Sequence, residues 1–169
     1  WYANVNPLVV FLLVNFITSL MAKKTALTSM IIGMAIIPLS ALVMSLGHQL
    51  GSTPVLGMHP VALLMVIGIA MQALAECFIS PRFLEYFSLQ APKGEEGLYL
   101  GFSHLHSFIS YLFAFGLSGF LLDKYSPDPR LFDSAEAYAQ ATVNAHYIWY
   151  VFVGIGMISI VALLIYGWA

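Results

Sequence analysis

The chain has 169 residues, of which 60% are hydrophobic and only 8% charged, and its formal net charge is −2. Soluble domains carry about 25% charged residues, so too little polar surface remains to cover a water-soluble globule of this size. There is no basic cluster to bind nucleic acid. The single cysteine, Cys77, excludes both a disulfide framework and a thiolate metal cage.

Five apolar segments follow one another: Pro7–Ala22, Thr25–Leu46, Pro60–Leu89, Leu98–Leu122 and His146–Trp168. A spanning helix needs about 20 apolar residues. The last four segments qualify. The first is short, and either extends back into Ala3–Asn6 or lacks its start. Barrel strands would alternate in polarity over about ten residues, and no segment does so. A bilayer that leaves no backbone group unpaired therefore demands helices. The expected class is an all-α integral membrane protein, with five transmembrane helices in a single domain. The chain opens on Trp1, and Pro7–Ala22 has neither a basic flank nor a small-residue cleavage site, so it does not read as a signal peptide. The sequence reads as a piece of something longer.

The first segment opens with Asn6-Pro7 and carries a lone amide, Asn15. Lys23 and Lys24 follow it. Pro38 should bend the second segment. The loop Gly47–His59 holds no Lys or Arg, and its His48 and His59 are given no role. Arg82 and Lys93 flank the third connection. Positive charge marks cytoplasmic loops, which puts the first and third connections inside, the N-terminus outside and the C-terminus in the cytoplasm of a plasma (inner) membrane. The long extracytoplasmic loop 123–145 holds Lys124 and Arg130, but also Asp123, Asp128, Asp133 and Glu136. Within it, Ser134-Ala-Glu-Ala-Tyr-Ala-Gln-Ala-Thr can form a short helix capped by Asp133 or Ser134. Its role is that of a surface connector.

The third segment carries the main chemical signal. Gly68, Gln72, Glu76 and Ser80 recur every fourth residue, which places them along one helix face. A carboxylate at mid-membrane depth costs a few kcal/mol and usually faces a bundle interior or wet cavity. Pro81 should kink or break the helix and free a carbonyl near Cys77. Together these features point to a cavity in which Glu76 meets a cation or proton. Glu76 as a protonated interhelical hydrogen-bonding group is the plainer option. Arg82 lies about 240° around the helix from Glu76 and should pair with Glu85 instead.

In the fourth segment Ser103, Ser107 and Ser110 share a face, flanked by His104. His106 should turn about 200° away from His104 on a regular helix, so a shared metal ion is not expected. Imidazole titrates near neutral pH and suits a proton relay or a substrate contact. Gly97 and Gly101, then Gly116 and Gly119, should allow close helix approach. Trp149, Tyr150 and Trp168 suit interfacial belts. No strained nucleophile turn, phosphate-cradling loop or dinucleotide fingerprint is present. Neither an enzyme nor a cofactor or metal is expected, although an intramembrane enzyme using Glu76 with His104 or His106 is the competing class.

Glu76-Cys-Phe-Ile-Ser80-Pro81, followed by Ala91-Pro92-Lys93, resembles the tenth helix of the proton-dependent oligopeptide transporters of the major facilitator superfamily. Asn6-Pro7-Leu8 resembles the start of that family's eighth helix. The resemblance implies helices eight to twelve, an outside start and an inside end. It implies proton-coupled symport of small peptides or related amine-bearing solutes by alternating access. Glu76 would meet the peptide ammonium and Asn6 the peptide backbone. Gln72, Ser80, Ser103, His104 and Ser107 complete the expected substrate-binding set. The implied partners are the solute, a proton, the bilayer and N-terminal helices of the same protein. Departures exist: Phe83 stands where the family has Gly, Arg82 and Glu85 add charge, and Ser103/His104 replace a cavity Trp.

Overall fold

A computed structural model describes residues 4–51 and 53–168; Ala3, into which the first helix was free to extend, lies outside the described residues. The chain folds as helices: α1 (Val5–Met21), α2 (Ala26–Ser45), α3 (Pro60–Gln90), α4 (Glu96–Ser103), α5 (Leu105–Tyr125), α6 (Ala135–Ala141) and α7 (Tyr147–Trp168). Short 3-10 turns at Leu46–Gln49 and Pro129–Leu131 interrupt the connections. Four spans are long and apolar enough to cross a bilayer: Ala26–Gln49, Pro60–Gln90, Glu96–Tyr125 and Tyr147–Trp168. α1 is apolar but has only 17 residues. The chain is an all-α membrane protein.

Local chemistry sets the helix ends. The Thr25 hydroxyl accepts from the Thr28 amide at 3.2 Å and caps α2. α3 begins with Pro60 in its first turn, where a missing N–H costs nothing. Ser134 caps α6 by accepting from the Ala137 amide at 3.2 Å, so the loop connector does contain its short helix. The loop between α2 and α3 reverses at Val55–Met58, whose amides and carbonyls pair in both directions at 2.9 and 3.0 Å. Leu56 and Gly57 sit at φ 52° and 73° there, the left-handed pair that tight hairpin turns require.

α3 is the central helix, with α1, α2 and α4 packed on it and α7 packed on α2. The α2–α3 seam is built from small residues. A Cβ at Gly33 would come within 2.8 Å of the Ala75 carbonyl oxygen, so only glycine permits that approach. One turn earlier, the buried Ser29 hydroxyl donates to the Phe78 carbonyl at 2.8 Å. Gly156 of α7 meets the Pro38 ring in the same manner. Ile17 and Met21 of α1 close the other side against Cys77 and Phe78.

Two expectations are corrected here. α3 does not break at Pro81; it runs without interruption from Pro60 to Gln90. Proline is tolerated in membrane helices where neighbouring helices pack on them, and Ser29 of α2 packs at this turn by donating to the adjacent Phe78 carbonyl. Among the described residues nothing approaches Gly97, Gly101, Gly116 or Gly119: a Cβ at any of them would meet no atom within 4 Å. α4 turns Ser103 toward α3, with Tyr99 and Leu100 half-buried, and leaves Gly97 and Gly101 exposed.

Candidate functional site

Glu76 projects from the middle of α3 and is exposed. Asn6, in the first turn of α1, donates from Nδ2 to Glu76 Oε2 at 3.3 Å. The packing of α1 on α3 thus brings together two polar residues seventy positions apart. An ionised carboxylate has about four acceptor sites, and this contact uses one of them. Among the described residues the only ion pair is Arg82–Glu85, Nη1 to Oε2 at 2.5 Å. Arg82 is 8% exposed and spends its charge on that local partner. No protein cation therefore answers Glu76 among the described residues.

One turn further along α3, Ser80 lies in a second recess of about 260 Å³, lined by Ile79, Phe83, Leu84, His104, His106 and Ser107. Here the regular-helix expectation fails, because His104 and His106 line the same pocket. The helix is interrupted at His104, between α4 and α5. The cause is a competition for the Ser103 carbonyl. His106 Nδ1 donates to that oxygen, and the Ser107 amide, which would bond it in a regular helix, bonds the His104 carbonyl at 3.1 Å instead. Side chains that bond nearby backbone offer it an alternative to the helical ladder. His106 Nε2 then faces the Ser107 hydroxyl at 3.3 Å, which donates to it. The His106 ring also packs against Phe83, with centroids 4.8 Å apart.

The expected substrate-binding residues thus separate into groups. Asn6 and Glu76 touch. Ser80, His104 and Ser107 share the adjoining recess with His106. Ser103 is buried, 2% exposed, and its hydroxyl donates to the Leu100 carbonyl at 2.7 Å, so it does not line that recess. Gln72 lines a different cavity of about 290 Å³ between α2, α3 and α7, with Met34, Ile37, Trp149, Phe152 and Ser159. Each four-residue step gains about 40° on a 3.6-residue helix, so the line from Gly68 to Ser80 winds about 120° around α3. It starts with Gly68 buried under Met44 and ends with Ser80 exposed. Among the described residues no group of three His, Cys, Asp or Glu side chains is placed to hold a metal ion.

A further polar contact had no sequence signal. His48 and His146 stack across the end of α2 and the start of α7, with ring centroids 3.8 Å apart and planes 11° from parallel. No protein-family model, curated protein or solved structure matches the chain.

Proposed function

We propose that the chain is part of a secondary active transporter that moves small peptides or related amine-bearing solutes together with protons, by alternating access. The observation that supports this reading is the exposed Glu76 carboxylate, which among the described residues is held by Asn6 alone and has no protein cation. An intramembrane acid of that kind is a functional-site candidate by default. A solute ammonium would supply the missing charge and take up the remaining acceptor sites. The recess at Ser80 adds two imidazoles, His104 and His106, that can contact a solute. Glu76 is exposed, which leaves that side of α3 open to a solute or to further helices. Rocking of this bundle against another helical unit would expose the site to each side in turn. The membrane is the plasma (inner) membrane, with the start of the chain outside and its end in the cytoplasm.

The test is uptake by the full-length protein in proteoliposomes. Labelled di- and tripeptides, with a set of simple amines, should accumulate under an inward proton gradient and cease to do so with a protonophore. Absence of gradient-dependent uptake across the set overturns the reading. The Asn6–Glu76 bond also favours a second reading, in which the pair joins α1 to α3 as interhelical glue. Under that reading Glu76→Leu, which cannot accept from Asn6, lowers stability and there is no uptake to lose.

A further inference from the structure

We propose that the stacked pair His48–His146 is a second proton-binding site, outside the Glu76 face, and that its double protonation separates the end of α2 from the start of α7. His48 lies in the 3-10 turn Leu46–Gln49 that ends the second membrane span. Its Nδ1 is 2.6 Å from the Ser45 carbonyl oxygen. A carbonyl can only accept, so that nitrogen carries the hydrogen and an incoming proton goes to Nε2. His146 directly precedes α7. Its Nδ1 is buried.

The two ends of the pair are not equivalent. A helix C-terminus favours a cation and a helix N-terminus disfavours one. His146, at the start of α7, is thus the harder ring to charge, and while it is neutral the rings stay stacked. A second proton puts two positive rings at a centroid distance of 3.8 Å, where like charges repel. Burial, and then the charge on His48, push His146 below the usual imidazole range, with the Val143 backbone pulling the other way. The contact is accordingly at full strength above about pH 6.5, and weakens as pH falls through the lower value of His146.

The other titratable groups at this corner do not relieve that repulsion. Tyr147 and Tyr150 pack their rings on His146 and bring no carboxylate to it. His59, at the start of α3, accepts from the Val61 amide through Nδ1 at 3.3 Å. That α3 terminus lies against Gly47, beside His48. At the end of α5, Tyr125 packs on Tyr147, and Lys124 lies 5.2 Å from the Tyr125 ring and adds only positive charge. Among the described residues neither imidazole is in an ion pair with a carboxylate.

The experiment places spin labels at Gln49→Cys and Asn144→Cys in the full chain, on a Cys77→Ala background, in lipid nanodiscs. Distances are measured at about pH 8 and about pH 5, on either side of the imidazole range. A longer or broader distribution at the acidic pH is expected. That change should vanish in His146→Phe and equally in His48→Phe, each of which keeps a stacking ring without a proton site. An unchanged distance in the labelled parent overturns the proposal, and so does an equal change in His146→Phe. Neither outcome depends on transport, so failure here leaves the reading of Glu76 intact.

Discussion

α3 presents two sides to two kinds of surroundings. Toward α2 it is met closely by Ser29, Gly33 and the Met44 side chain, and Ala75 is fully buried there. On another face Glu76 and Ser80 are exposed, and among the described residues Asn6 alone hydrogen-bonds the carboxylate. The same helix thus carries a packed seam and an open polar face. In a bilayer no hydrophobic force drives helices together, so close packing of small residues and interhelical hydrogen bonds must do it. The seam meets that demand with glycine and serine, which frees the exposed face to hold polar groups that contribute little to the fold.

Substitutions on the two sides should therefore separate stability from function. The largest stability effect is expected for Gly33→Leu, whose side chain would drive into the Ala75 carbonyl. Overpacking costs about 1–3 kcal/mol and more where backbone must move. Thermal unfolding in detergent should show a marked loss, and an unchanged midpoint would break the distinction. Ser29→Ala should cost about 1 kcal/mol, the net worth of one hydrogen bond, read by the same assay. Asn6→Ala should leave unfolding nearly unchanged and weaken solute binding about fivefold, the equivalent of about 1 kcal/mol, in a competition-uptake assay. Gly101→Ala should change stability by less than about 0.5 kcal/mol, because its added methyl meets nothing.

The membrane helices were legible in the sequence because long apolar runs and capping residues such as Thr25 and Ser134 act locally. The choice among glycines was not legible. Ser29-x-x-x-Gly33 and Gly97-x-x-x-Gly101 have equivalent spacing, and only the placement of α2 and α4 decides which is used. The Arg82–Glu85 pair followed from helical spacing and is present. The recess at His104 was misjudged for a physical reason: angles counted on a regular helix do not apply where His106 displaces a backbone hydrogen bond. Gln72 left the Glu76 group because a four-residue period drifts around the helix. His48 and His146 gave no signal, since nothing in either segment reveals that two helix ends meet.

The most direct measurement is uptake by Glu76→Gln, compared with its unfolding midpoint. This substitution keeps the shape of the side chain and its contact with Asn6 while removing the charge offered to an ammonium. Loss of proton-driven uptake with an unchanged midpoint is the expected result. Uptake at the level of the unsubstituted protein would contradict the assignment of Glu76 to the solute site.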